Sequence, residues 1–189
     1  MVLIKNTLKM IIRNLYKKHK MKKQMEEQIK YYLSLTTEEL LELSDTKLYI
    51  AITTRLSYKV RTNKSNINPL NNEEKIVFET DIYDSEVNNG GLCQFFTNSS
   101  SLVAPYISEN LKIIKAKEHK KLFDNFIKKN KIDVNNLSSF EITMTDNIQE
   151  QFQKNLNKYP FDEFDTNFYK LPPLQTKLTE YIKNNISKF

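Results

Sequence analysis

Val87-Asn88-Asn89-Gly90-Gly91-Leu92-Cys93-Gln94-Phe95-Phe96 contains the only two glycines of a 189-residue chain, side by side. Asn and Gly enter left-handed backbone conformations at low cost. The Asn-Asn-Gly-Gly tetrad is therefore expected to end a helix, satisfy its last carbonyls and turn the chain sharply. Phe95 and Phe96 would then drop into the core. Upstream, the spacing predicts a helix over 73–87. At 100° per residue, Ile76, Tyr83 and Val87 share one face, with Phe78 and Ile82 on another. A helix apolar on two sides is usually central to its domain. Glu86 projects beside Tyr83, toward the interior, and would need partners there; Gln94, Asn98 and the loop amides are the nearest. Glu86, Asn88, Asn89, Gly90, Gly91, Gln94, Phe95, Phe96 and Asn98 thus read as a packed structural corner or a small polar pocket. The corner reading takes precedence, because polar residues at tight turns mostly serve the backbone. Glu73, Glu74, Asp81 and Asp84 fall together on the remaining sector of this helix. They are a candidate acidic face for a partner, though a solvated helix face explains them equally well.

Away from this corner the chain also reads as helical. Two glycines are too few for hairpin-built sheets, whereas 39% hydrophobic content with 11 Phe and 10 Tyr supplies a core. The expected fold class is all-α: a compact domain of about seven to nine helices with a basic helical extension. Residues 3–33 read as an amphipathic helix, with Ile4, Leu8, Ile11, Ile12 and Leu15 opposite Lys5, Lys9, Arg13 and Lys17. Residues 1–35 are assigned to this extension and 36–189 to the domain. Thr36 to Glu39 form a capping-box pattern, and Ser44-Asp45 a second cap. Leu48, Ile52, Leu56 and Val60 are spaced by four, as a buried stripe requires. Residues 61–72 read as a polar connection. Past the corner, Ser99, Ser100 and Ser101 offer caps to a helix carrying Val103, Ile107, Leu111 and Ile114. A helix over 117–130 follows, with His119 expected at the surface or in a local hydrogen bond. Residues 133–143 look irregular, with a short extended piece at 140–144. Thr145-Asp146 is expected to cap a helix that aligns Ile148, Phe152 and Leu156. Phe161, Phe164 and Phe168 should pack inward, and Pro172-Pro173 should fix the start of a last helix.

The charge is unevenly placed. The chain carries 29 Lys/Arg against 23 Asp/Glu, a net +6. Residues 1–30 alone hold nine basic side chains against Glu26 and Glu27, a net of +7. The body is therefore close to neutral, at −1. One cysteine excludes an intramolecular disulfide and any multi-thiolate metal site. The two histidines, His19 and His119, lack metal-ligand spacing, so no metal and no cofactor are expected. No run approaches a membrane span, no secretory signal is recognised, and a reducing, cytoplasmic compartment is the natural reading.

The run from Ser85 to Ser100 also resembles the signature of the DNA mimic protein 19-like family. In that family a glutamate, the Asn-Asn-Gly-Gly turn, a glutamine, two aromatics and Asn-Ser recur in this order. The resemblance runs over roughly residues 40–189 and leaves the basic N-terminus outside. It implies an all-helical bacterial domain of mostly unknown function, whose namesake is a dimeric acidic protein that imitates the charge of DNA. This chain departs from that pattern in charge, because a DNA mimic needs carboxylates at phosphate-like density.

The leading functional expectation is a non-enzymatic module that binds a protein partner. It would regulate or neutralise that partner, as a DNA-mimic-like inhibitor of a DNA-binding protein or as a toxin-immunity factor. A homodimer stays open. The alternative is nucleic-acid or anionic-membrane binding through Lys5, Lys9, Arg13, Lys17, Lys18, Lys20, Lys22 and Lys23. A ligand pocket or an enzyme ranks lower: Cys93 at a helix start has no neighbouring histidine to act as a base, and no catalytic residue is assigned.

Overall fold

The helices Thr37–Leu41, Asn72–Thr97 and Ile148–Leu156 begin at polar side chains that cap their first turns. The computed structural model describes residues 2–142 and 147–189, with side chains from Lys18 onward. In chain order the helices are α1 (Val2–Ser34), α2 (Thr37–Leu41), α3 (Asp45–Thr62) and α4 (Asn72–Thr97). Then come α5 (Ala104–Ile113), α6 (Lys117–Asn130), α7 (Ile148–Leu156), α8 (Phe161–Phe168) and α9 (Leu174–Asn184). Short 3-10 turns lie at Ser99–Val103, Ser138–Phe140 and Ile186–Lys188, and no strand occurs among the described residues. The fold is all-α, as the scarcity of glycine implies.

At α2 the Thr36 hydroxyl accepts from the Glu39 amide while the Glu39 carboxylate accepts from Thr36 N–H at 2.8 Å. Asn71 and Glu74 repeat this reciprocal cap at the start of α4. Each cap answers two amides that the first helical turn leaves without partners. Ser44 takes the cap position of α3 without a side-chain bond. Thr145 and Asp146, expected to cap α7, and Thr143 and Met144 of the extended piece lie outside the described residues. The cap side chain observed at α7 is Asn147, which accepts from the Glu150 amide.

The stripe Leu48, Ile52, Leu56 and Val60 is buried, each such side chain contributing about 1.5–3 kcal/mol in transfer terms. Central α4 packs against α3, α5, α7, α8 and α9. Its Tyr83 ring meets Phe95, Phe123 and Phe168 edge-on at 5.2–5.9 Å between centroids, a favoured quadrupole arrangement. Phe96 contacts Phe140 and Phe161, and Phe161, Phe164 and Phe168 of α8 are all buried.

Two expectations about burial need correcting. His119 is only 4% exposed and stands edge-on against Phe168; burial lowers its pKa and favours the neutral ring. On α7, Ile148 is 69% exposed, while Asn155 is buried and donates to the Phe140 carbonyl at 2.6 Å. That irregular carbonyl has to be satisfied, and an asparagine facing inward does it.

The junction of α1 and α2 is tied to the body by Arg55 of α3. Its guanidinium donates to the main-chain oxygens of Tyr32 at 2.7 Å, Leu35 and Phe189 at 3.3 Å.

Candidate functional site

Helix α4 is broken at Gly90 (φ −156°, ψ 22°) and Gly91 (φ 80°, ψ 176°). Asn88 and Asn89 keep helical backbone, so the glycines alone absorb the turn. This corrects the expectation that the asparagines would end the helix: Asn88 instead donates to the Asp84 carbonyl and carboxylate at 2.8 and 2.9 Å. The first segment reaches past Val87, and its continuation from Leu92 carries Phe95 and Phe96 into the core.

A break inside a helix strands backbone groups on both sides. Gly90 and Gly91 interrupt the regular helical ladder between the Val87 carbonyl and the Leu92 amide. The chain at α8 answers both. Asp165 Oδ1 accepts from Leu92 N–H at 2.9 Å, and the Tyr169 hydroxyl donates to the Val87 carbonyl at 2.8 Å. These two residues are four apart, hence on one face of the turn. Burial raises the Asp165 pKa, against the lowering effect of the Leu92 bond, and nearby Asp162 raises it further.

Glu86 is half-buried and accepts three bonds. Gln94 Nε2 donates at 2.8 Å and Asn98 Nδ2 at 2.9 Å to one oxygen, and Ser100 Oγ donates at 2.9 Å to the other. Gln94 and Asn98 are the partners expected from the sequence; Ser100 is not. Ser99, Ser100 and Ser101 form a 3-10 turn without side-chain caps, so the expected capping role of these serines is replaced, for Ser100, by a bond to Glu86. Asp81, Ile82, Ser85, Glu86, Asn89, Gln94 and Asn98 line an open cleft of about 370 Å³.

The four acidic residues Glu73, Glu74, Asp81 and Asp84 do not share one solvated face. Glu74 is 6% exposed, capping α4 while Lys59 reaches it at 2.7 Å. Its place beside α3 draws it inward. Glu73, Asp81 and Asp84 are half-buried, and Asp81 accepts a hydrogen bond from Tyr49. Burial, then the neighbouring Asp81 charge, pushes the Asp84 pKa up to about 6, opposed by the Asn88 bond. Glu79, a further buried carboxylate on α4, accepts from Asn110 of α5 at 2.8 Å.

Cys93 is fully buried, and burial pushes its thiol up to about 11. It is a protonated packing group at neutral pH, the opposite of an activated thiolate. On α1, Lys18, Lys20, Lys22 and Lys23 are exposed, with Glu26 and Glu27 at 3.9 Å from the last two. The side chains of Lys5, Lys9, Arg13 and Lys17 lie outside the described residues.

Fold and site together define a class: an all-helical domain built on a central helix broken at Gly-Gly and rejoined by polar groups. The chain belongs to the DMP19-like protein family, whose model matches residues 68–185, well over half its length. The matched stretch is shorter than 40–189 but contains the whole corner, including Asp165 and Tyr169. No curated protein and no solved structure matches the chain. Among the described residues no helix is long and apolar enough to cross a membrane.

Proposed function

We propose that the protein is a non-enzymatic binding module of the bacterial cytoplasm that takes cationic side chains of a protein partner on its α4 face. One observation carries this reading. Asp81, Asp84 and Glu86 lie on α4 before the helix break and Asp165 on α8 against it, and each is held by a neutral donor: Tyr49, Asn88, the Gln94-Asn98-Ser100 trio and the Leu92 amide. None of the four has a salt-bridge partner among the described residues. Carboxylates fixed by dipoles stay oriented and leave their charge uncompensated, so they attract an incoming lysine or arginine.

A surface that binds DNA is rich in such cations, which connects the cluster to inhibition of a DNA-binding protein in the manner of a DNA mimic. Neutralising a basic toxin would use the same face. The local cluster supports the reading, while the net charge of +6 does not.

Ser85 is exposed on the cleft wall and makes a clean probe. Tagged wild type and Ser85→Arg are compared by capture from the native cell and mass spectrometry, with melting as a fold control. A basic protein enriched by the wild type and lost with Ser85→Arg supports the proposal. Equal capture by both proteins refutes it.

A further inference from the structure

We propose that α1 docks the protein in the plane of an anionic membrane surface, independently of the α4 face. The argument starts from length. Helix α1 has 33 residues and α3, against which it packs, has 18. At roughly 1.5 Å per residue, α1 overshoots its neighbour. Among the described side chains, burial is confined to its last turns: Tyr32 is buried and Ile29 half-buried, whereas every residue from Lys18 to Gln28 is exposed. Residues 18–28 are therefore helix that the domain does not cover.

The sequence of the N-terminal part of α1 suits one environment. Ile4, Leu8, Ile11, Ile12 and Leu15 fall within an arc of about 100° at helical spacing, with Lys9 and Arg13 opposite. Lys17, Lys18, Lys20, Lys22 and Lys23 then surround the helix as a basic collar. Pairing with a second copy would bring two +7 segments together, which like-charge repulsion opposes. Nucleic acid would use the lysines but leave the Ile/Leu arc in water. An anionic bilayer uses both: the arc sinks to the headgroup boundary and the lysines meet lipid phosphates and carboxylates. Lys5, Lys9, Arg13 and Lys17 recur through the apolar stretch, a pattern suited to lying on the bilayer rather than crossing it.

The chain contains no tryptophan, so Leu8→Trp in the full-length protein gives a single depth reporter. The full chain should sediment with phosphatidylcholine–phosphatidylserine vesicles and not with pure phosphatidylcholine. The indole emission of the Leu8→Trp variant should shift to the blue on the mixed vesicles. Ile11→Glu with Leu15→Glu should cut the partition about tenfold or more, without moving the melting midpoint of the body. Unchanged partition of this double variant would overturn the proposal by reducing the attraction to bare charge. So would duplex DNA binding in the absence of vesicle binding, or a dimer that the double variant dissolves with no vesicle binding by the wild type.

Discussion

Gly90 and Gly91 are required for different reasons. At Gly91 the backbone sits at φ 80° and ψ 176°, a region essentially closed to side-chain-bearing residues. A Cβ there would also stand 2.1 Å from Asp165 Oδ2. Gly90 has an unexceptional extended φ, and its constraint is contact: a Cβ would meet Gln94 Oε1 at 2.0 Å. The far end of a glutamine can move, but moving it removes a donor from Glu86. Gly91→Ala is accordingly expected to cost about 3 kcal/mol or more, from strain plus the lost Leu92 cap. Gly90→Ala should cost about 1 kcal/mol. Urea denaturation of both variants checks the order, and a larger loss at Gly90 would contradict it.

At the scale of elements, α4 is two helices joined by a corner, and α8 holds that corner closed. One of its two bonds serves the Val87 carbonyl before the break and the other the Leu92 amide after it. Tyr169→Phe should cost about 0.5–1.5 kcal/mol and Asp165→Ala about 1–3 kcal/mol. Because the two bonds span the same break, a double-mutant cycle should give a coupling of at least about 0.5 kcal/mol. Strict additivity would mean that they act separately. The corner shows which features are legible in the sequence. Periodicity identifies the apolar face of α4, and Glu86 beside Tyr83 points to a need for partners that Gln94 and Asn98 can meet, since both stand just past the turn. Asp165 and Tyr169 carry no local signal, because their partners lie 73 and 82 residues away. Only the stranded groups of a broken helix announce that some donor and some acceptor must come. The helical state of Asn88 and Asn89 is equally hidden: two successive glycines suffice to make the break, leaving the asparagines nothing to do there. His119 and Asn155 escape a sequence reading for a related reason, as a polar side chain enters the core only when tertiary neighbours receive it.

At the scale of the whole molecule, two features link distant parts. The first is Arg55, which draws the end of α1, the α1–α2 connection and the C-terminal Phe189 onto α3. Arg55→Ala leaves three carbonyls to find water and should cost about 2 kcal/mol, measured as loss of melting stability. Arg55→Lys should recover little, because one ammonium cannot replace the planar fork. The second is the uncompensated charge around the break. Asp84, at about 6 in the folded protein, titrates near 4 when unfolded. Between those values the folded state binds the extra proton, so this residue favours folding at low pH and disfavours it as pH rises through about 6. His119 works in the opposite sense: its lowered pKa means that the unfolded chain takes up the proton first as pH falls below about 6.5. The two overlap, and the pH profile of the wild type alone does not separate them. Asp84→Asn does, since His119 is common to both proteins. The stability difference should move in favour of Asn by about 2 kcal/mol between pH 4 and pH 7. A difference independent of pH would show that Asp84 titrates in the folded protein as it does in the unfolded chain. The same proton enters binding. A cation placed beside Asp84 favours its charged form, so affinity for a basic partner should rise with pH through about 6, and Asp84→Asn should flatten that rise. Polylysine serves as the probe. Titrating it at pH 5 and at pH 7 against both proteins tests whether the cost that the fold carries in this cluster is recovered on binding.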